Sequence, residues 1–303
     1  MTVTADARRN QDAMREQIAK GQGFIAALDQ SGGSTPGALK GYGIEADGWA
    51  SDDEMFGLIH AMRERIITSP CFNGEKVIGA ILFERTMDGE AGGKPVPDVL
   101  WERGVVPFLK VDKGLEDEAD GVKLMKPIDG LGDLLDRAAN KGVFGTKMRS
   151  VIERASPTGI AAVVAQQFEV AKTIIDHGLM PIIEPEVSIK SEDRETSDEI
   201  LRDEILKHLD TLPEDRQVML KLTIPAVAGT FDPLVDHPRV LRVVALSGGF
   251  SREEACAKLA QNRGMIASFS RALLSDLRHQ MSDEEFDKSL GLAIDDIHAA
   301  SVA

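Results

Sequence analysis

Residues 217–225 read QVMLKLTIP and place one lysine, Lys221, inside an otherwise apolar run. The run is too short for a helix and rich in β-branched residues, so it predicts a strand buried on both faces. Its lysine either reaches solvent at the strand end or lies in a low dielectric, where the neutral amine is favoured. A neutral amine beside a ketone forms a Schiff base. The run alone favours a lysine that reaches solvent. The sequences of the other predicted strands are needed to decide between an exposed and a buried Lys221.

Seven similar runs occur along the chain, with helical patterns between them. The eight predicted strands are Phe24–Asp29, Val77–Glu84, Val106–Asp112, Val143–Arg149, Met180–Glu186, Val218–Pro225, Leu241–Ser247 and Met265–Phe269. Helix starts are indicated by Ser51 with Glu54, by Ser156 before a proline, and by Ser282 with Glu285. Eight strands alternating with helices predict an α/β fold, the (β/α)8 TIM barrel.

We expect a single domain over residues 1–303, with an N-terminal helical extension over about 1–20 and a C-terminal helix over about 282–301. The N-terminal segment is polar and has no apolar core of its own. An open doubly wound sheet is the competing architecture. It is disfavoured because no GxGxxG sequence follows the first predicted strand.

Composition excludes several classes of protein. The chain carries 35 basic and 50 acidic residues, a net charge of −15, which argues against nucleic-acid binding. Cys71 and Cys256 lack the spacing of a disulfide framework or a thiolate metal site. No signal peptide or membrane-spanning run is present. We therefore expect a cytoplasmic protein without a nucleic-acid or membrane partner.

The predicted strand ends carry most of the candidate functional residues. They are Asp29, Glu84, Lys110, Lys147, Arg149, Glu184, Glu186 and Lys221. In a barrel these ends converge on one mouth, where charged groups are costly to desolvate unless they pair or react. Ion pairing explains any one of them, but the whole set indicates an active site. Side chains alternate between the two faces of a strand, so residues two positions apart share a face. The pairs that share a face are Glu184 with Glu186, Lys147 with Arg149, and Lys110 with Asp112.

Glu184 and Glu186 suit general acid–base catalysis, because burial and neighbouring charges separate the proton affinities of paired carboxylates. The alternative is that one of them only neutralises Lys147 or Lys221. Both can hold at once, because a general base needs a partner that positions it.

Two loops of small residues indicate anion sites. Ser247, Gly248 and Gly249 end the seventh strand before a capped helix, and residues 31–34 read SGGS after Asp29. Glycines let backbone N–H groups approach a phosphate, although a turn with positive φ also uses Gly-Gly. Arg271 is placed to bind a phosphate at the first loop, and Lys110 and Arg149 are placed to bind one at the second. Two loops at one mouth suggest a substrate phosphorylated at both ends.

Seven short motifs together resemble class I fructose-1,6-bisphosphate aldolase, in its shorter bacterial form. They are ALDQS at 27–31, LFERT at 82–86, LKVDKG at 109–114, KMR at 147–149, IEPE at 183–186, LKLTIP at 220–225 and LSGG at 246–249. The similarity runs in order from Gly21 to about Leu274. It implies reversible cleavage of fructose 1,6-bisphosphate to dihydroxyacetone phosphate and glyceraldehyde 3-phosphate, without a metal or other cofactor.

The resemblance implies a role for each matching residue. Lys221 is the Schiff-base lysine, Glu184 the acid–base group, and Glu186 and Lys147 the residues that tune it. Asp29 takes the proton from the C4 hydroxyl. The phosphate ligands are Ser247, Gly248 and Arg271 for the dihydroxyacetone half, with Ser31, Ser34, Lys110 and Arg149 for the other.

Two departures limit the resemblance. Longer relatives read FSYGRAL where residues 269–273 read FSRAL, so a glycine amide is missing and Ser270 or a shifted Arg271 must compensate. Longer relatives also end in a tail with a functional tyrosine, whereas the only tyrosine here is Tyr42.

Three other functions compete with this one. Another Schiff-base barrel lyase, or a transaldolase-like transferase, would also use a strand lysine, but two phosphate loops favour the bisphosphate. A metal-dependent aldolase needs clustered histidines, and the six here are scattered. A non-enzymatic binding scaffold leaves the charged mouth unexplained. We expect a homo-oligomer.

Overall fold

The computed structural model describes residues 5–303, with side chains from residue 10 onward. Eight parallel strands follow one another around the sheet in chain order. They are β1 Phe24–Leu28, β2 Val77–Leu82, β3 Val106–Lys110, β4 Gly145–Ile152, β5 Met180–Val187, β6 Val218–Thr223, β7 Val240–Leu246 and β8 Met265–Ala267. The amide of Ala27 donates to the carbonyl of Phe269 at 3.1 Å, which joins the first strand to the last. The predicted TIM barrel is confirmed.

Twelve helices alternate with these strands in residues 5–303. They are α1 Ala5–Lys20, α2 Thr35–Gly41, α3 Asp52–Thr68, α4 Glu84–Asp88, α5 Val96–Glu102, α6 Leu131–Asn140, α7 Pro157–Asp176, α8 Arg194–Leu209, α9 Asp232–Val235, α10 Arg252–Leu259, α11 Arg271–Leu274 and α12 Asp283–Ser301. The predicted helix starts are confirmed. The Ser51 hydroxyl accepts from the Glu54 amide, and Ser282 with Glu285 forms a complete capping box.

Side-chain alternation on the strands creates two apolar cores. One lies between the outer faces of the strands and the helices. The other fills the barrel interior and includes Phe108, Ile182, Met219, Val244 and Ile266. These inner residues occupy the lower part of the barrel, so the polar residues that follow them on the same strand faces lie at the C-terminal end.

Helix α1 closes the bottom of the barrel. Met14 and Ile18 are buried in the inner core, and the Gln17 side chain donates to the carbonyls of Gly74 and Gly104. Arg242 on β7 donates to two carbonyls at the end of the helix, those of Ala19 and Gly21. The segment is a polar helix, as the sequence indicated, and a few of its side chains attach it to the barrel. Two apolar residues four positions apart are enough to seal a barrel that the strands have already formed.

We propose that residues 1–303 form one domain, as expected from the sequence. Residues 1–4 of the predicted extension lie outside the described residues. Within residues 5–303, no helix has the length and apolar character needed to cross a membrane.

Candidate active site

A cavity of about 760 Å³ opens at the C-terminal ends of the strands. Its walls contain most of the residues that the sequence indicated: Asp29, Ser31, Ser34, Lys110, Lys147, Arg149, Glu184, Glu186, Lys221, Ser247, Gly248, Ser270 and Arg271. Gly249 lies directly behind the wall, where a Cβ atom on it would come within 3.2 Å of the Arg271 guanidinium. The strand ends therefore converge as the barrel requires.

Strand register explains how the charged residues meet. On β4, Lys147 lies beside Lys110 of β3, and Arg149 lies beside Glu184 of β5. On β6, Lys221 follows Met219 on the inner face, and Leu220 and Leu222 point to the outer core. The strands β3, β5 and β6 therefore each contribute an apolar residue to the barrel interior and, two positions later, a charged residue to the cavity.

Lys147 lies among three carboxylates. Its ammonium is 2.7 Å from Asp29, 3.0 Å from Glu184 and 3.7 Å from Asp112, and the residue is 2% exposed. Burial lowers the pKa of Lys147, but the charges of Asp29, Glu184 and Asp112 outweigh it and hold this pKa well above its usual value. Lys147 is therefore a fixed cation.

Asp29 has the opposite shift. Burial raises its pKa, but the ammonium groups of Lys147, Lys221 and Lys110 outweigh burial and hold the pKa well below its usual range. Asp29 is thus a carboxylate at any ordinary pH, and its proton affinity depends on how firmly Lys147 is held.

Glu184 connects the two central lysines. Its Oε1 atom is 3.0 Å from the Lys221 ammonium, and its Oε2 atom is 3.0 Å from Lys147. The backbone amide of Glu184 donates to the buried Gln167 side chain on α7 at 2.8 Å, which fixes this part of β5 against the helix. Lys221 is 4% exposed and lines the cavity. A proton can therefore pass directly between Glu184 and Lys221.

The other predicted residues are paired nearer the rim. Arg149 donates to Glu186, so Glu186 neutralises neither Lys147 nor Lys221. Burial lowers the pKa of Arg149, but Glu186 outweighs it and raises this pKa. Lys110 donates to the Asp112 backbone carbonyl and pairs with its carboxylate, both at 2.7 Å.

Both predicted anion loops border the cavity. Gly248 and Gly249 have φ values of +60° and +125°, a backbone that residues with a side chain rarely adopt. At the other loop, the Ser34 hydroxyl accepts from the Ser31 amide at 2.9 Å. Arg271 begins α11 and is exposed, and among residues 10–303 it forms no ion pair.

One expectation was wrong, and the sequence did not single out some of the residues that the structure places in or beside the cavity. Glu84 does not line the cavity, because Lys113 and Arg137 hold it on the rim outside. The carboxylate of Asp112 is the third one near Lys147. The sequence indicated only that Asp112 shares a strand face with Lys110. Gln30 and Ser268 also line the cavity, and no sequence pattern distinguished them from ordinary polar residues.

Comparisons with known proteins identify the family of the chain and support its fold. Residues 11–230, more than half of the chain, match the family described as fructose-bisphosphate aldolase class-I. The matched range holds Asp29, Lys147, Glu184 and Lys221, and ends before β7 and β8. A solved structure of fructose-bisphosphate aldolase from Plasmodium falciparum, in complex with TRAP and a small-molecule inhibitor, has a TM-score of 0.77 and 19% identity. The match covers 100% of this chain and 96% of that one.

Proposed function

Because the chain belongs to the class I fructose-bisphosphate aldolase family, we propose that Lys221 is the lysine that forms its Schiff base. The chain is an aldolase, a carbon–carbon lyase, and the family's reaction is the reversible cleavage of fructose 1,6-bisphosphate. The observation that carries the proposal is the contrast between the central lysines. Three carboxylates fix the charge of Lys147, whereas among residues 10–303 Lys221 pairs with Glu184 alone.

The first half of the proposed mechanism uses Lys221 and Glu184. Lys221 gives a proton to Glu184 and attacks the C2 ketone through its Nζ atom, which forms a carbinolamine. Glu184 then returns the proton to the C2 hydroxyl, which leaves as water. The protonated imine that remains withdraws electrons from C3 more strongly than the ketone did. Lys147 stays charged and keeps the carboxylate of Glu184 in place between the two lysines.

The second half uses Asp29 and Lys147. Asp29 accepts the proton of the C4 hydroxyl as the C3–C4 bond breaks and its electrons pass into the imine, giving an enamine and an aldehyde. A carboxylate with a lowered pKa is a weak base, so we assign Lys147 a second task. When Asp29 becomes neutral, the Lys147 ammonium is released to stabilise the negative charge that develops on the C4 oxygen.

The substrate is a sugar bisphosphate, as the family implies, and we propose where its two phosphates bind. Residues 247–249 and Arg271 take the phosphate of the dihydroxyacetone half. Ser31, Ser34, Lys110 and Arg149 take the other. Support comes from the backbone of the glycine loop, which can present successive N–H groups, and from the placement of both groups on the same cavity.

Borohydride reduction in the presence of dihydroxyacetone phosphate tests the central assignment. We expect one covalent adduct, located at Lys221 by peptide mapping, and turnover that persists in EDTA because the imine is the electron sink. An adduct at Lys147 or Lys110 would refute the assignment. Measured transfer of a three-carbon unit between sugar phosphates would instead favour a transaldolase-like transferase.

We also propose a cytoplasmic homo-oligomer. Leu292 on α12 is a large apolar residue that is 58% exposed, and contact with a second copy would remove this side chain from water. Light scattering of the purified chain measures the oligomeric state, and a strictly monomeric mass would contradict this proposal.

A further inference from the structure

Gln30 joins the two ends of the barrel sheet at the cavity. It follows Asp29 in the loop after β1 and lines the cavity wall. Its Nε2 atom donates to the Ser270 hydroxyl, in the turn after β8, at 2.5 Å and to the Ala27 carbonyl at 3.3 Å. Its Oε1 atom accepts from Arg63 at 3.2 Å. Every N–H of the carboxamide is therefore committed to a partner.

Arg63 decides which way the Gln30 carboxamide points. Arg63 lies on α3, is 1% exposed, and also donates to the Gln30 backbone carbonyl and to the Thr86 hydroxyl. A guanidinium has no acceptor atom, so the carboxamide must turn its oxygen towards Arg63 and its nitrogen towards Ser270. Burial lowers the pKa of Arg63 to about 10, against the opposing charge of Asp29, and the group stays a cation at neutral pH.

The orientation of Gln30 determines what Ser270 can do. Because the Ser270 hydroxyl accepts from Gln30, its own proton points elsewhere, and within residues 10–303 no other hydrogen bond involves this hydroxyl. Ser270 lines the same cavity as its neighbour Arg271 and as Ser247 in the glycine loop. The proton of Ser270 is thus available to an oxygen atom in the cavity, next to a guanidinium without an ion pair.

We propose that Gln30 is a positioning residue that makes Ser270 a hydrogen-bond donor to a phosphate oxygen of the substrate. The inference rests on the proposed function, which places a phosphate between the glycine loop and Arg271. Gln30 acts through Ser270, and Arg63 maintains the direction of the hydrogen bond. The consequence is a requirement for a neutral carboxamide at position 30.

Gln30→Glu tests this requirement, because the two side chains have the same shape and opposite hydrogen-bonding character towards Ser270. A carboxylate would accept the Ser270 proton and turn it away from the cavity. We expect KM for fructose 1,6-bisphosphate to rise roughly 10- to 100-fold, the loss of one hydrogen bond to a charged group, with kcat within about twofold. Unchanged KM, or a loss confined to kcat, would overturn the proposal.

A double-mutant cycle separates the action through Ser270 from direct repulsion of the phosphate by the new charge. In a Ser270→Ala background, Gln30→Glu should raise KM by no more than about threefold, since the donor is already absent. If the two substitutions are fully additive, the charge acts directly and the proposal is wrong. Gln30→Met, which does not donate and accepts only weakly, should raise KM a few-fold. If the glutamate variant does not fold, an unchanged KM in Gln30→Met would overturn the proposal.

Unphosphorylated dihydroxyacetone provides the control for the chemistry at Lys221. Borohydride trapping of this ketone should proceed equally in wild type and Gln30→Glu, because no phosphate is involved. If wild type neither traps the ketone nor cleaves the bisphosphate, the proposed function fails. If wild type does both and the variant keeps the wild-type KM, only the inference about Gln30 fails.

Discussion

The cations on the two sides of the barrel mouth differ in how the protein surrounds them. On the β3–β4 side, Lys110, Lys147 and Arg149 each pair with carboxylates of the protein, and Lys147 lies near three. On the opposite side, Lys221 pairs with Glu184, and Arg271 forms no ion pair among residues 10–303. A cation enclosed by carboxylates keeps its charge, whereas one with a single partner or none can react or bind a ligand.

The largest effect should come from removing the reactive amine. Lys221→Met deletes the nucleophile and retains a side chain of similar length, so kcat should fall by at least about 10^4-fold and borohydride trapping should disappear. Lys147→Met should also lose activity but should still yield a trapped adduct at Lys221. Mass spectrometry of both reduced proteins compares them. A covalent adduct that still forms in Lys221→Met would contradict the different roles assigned to Lys221 and Lys147.

Stability should show the reverse order. Lys147→Met leaves Asp29, Asp112 and Glu184 buried without their shared cation, and should lower the free energy of unfolding by about 3–5 kcal/mol. Lys221→Met leaves Glu184 still paired with Lys147 and should cost no more than about 1.5 kcal/mol. Urea denaturation of the two variants at pH 7.5 gives both values. Equal losses would mean that the three carboxylates do not depend on Lys147.

Behind β6, a buried ion pair supports the segment that follows Lys221. The Asp198 carboxylate on α8 accepts from the Ala226 amide at 2.8 Å and lies 3.7 Å from Arg194, which donates to the Ile224 carbonyl. Burial raises the pKa of Asp198 to about 6, against the opposing effects of the Ala226 amide and Arg194. The folded protein therefore binds a proton at Asp198 more tightly than the unfolded chain does.

This shift fixes the sign of a pH effect. Stability from the neutral Asp198 carboxyl group is fully present below the unfolded pKa, near 4, and is lost as pH rises through about 6. Asp198→Asn keeps an acceptor for Ala226 but cannot ionise. The difference in free energy of unfolding between Asp198→Asn and wild type should therefore shift in favour of the variant by up to roughly 3 kcal/mol from pH 4 to pH 7.5. Urea denaturation at both pH values measures this difference, and a constant offset would show that Asp198 titrates normally.

The sequence was sufficient for the barrel and for most of the cavity because both follow from strand alternation. Apolar runs ending in LDQS, KMR, IEPE and LKLT place charged residues on inner faces at one end. The partners of those residues were less accessible. That Asp112 reaches Lys147, and that Glu186 pairs with Arg149, depends on side-chain rotamers and on the tilt between strands.

Residues held by distant elements were the hardest to predict. Glu84 ends an apolar run as the catalytic candidates do, but Arg137 on α6 holds it away from the cavity. Arg63, 33 residues away, orients the side chain of Gln30. Gln30 in turn orients the hydroxyl of Ser270, which is 240 residues away. No local pattern encodes such a chain of contacts, because each link forms only when the barrel closes.

The smallest effects should separate a paired phosphate ligand from an unpaired one. Arg271→Ala removes a free guanidinium, so kcat/KM should fall by roughly 10- to 100-fold for both fructose 1,6-bisphosphate and fructose 1-phosphate. Lys110 must loosen its 2.7 Å contact with Asp112 before it can bind a phosphate. Lys110→Ala should therefore lower kcat/KM only about 3- to 10-fold, and only with the bisphosphate.

Lys113→Ala is the matched control, because Lys113 pairs with Glu84 outside the cavity and its loss should leave kcat/KM for both sugars unchanged. An equal loss on both sugars for Lys110→Ala would show that this lysine does not hold the second phosphate. A loss larger than that of Arg271→Ala would show that pairing with the protein does not weaken a phosphate ligand, and the comparison between the two sides of the mouth would then fail.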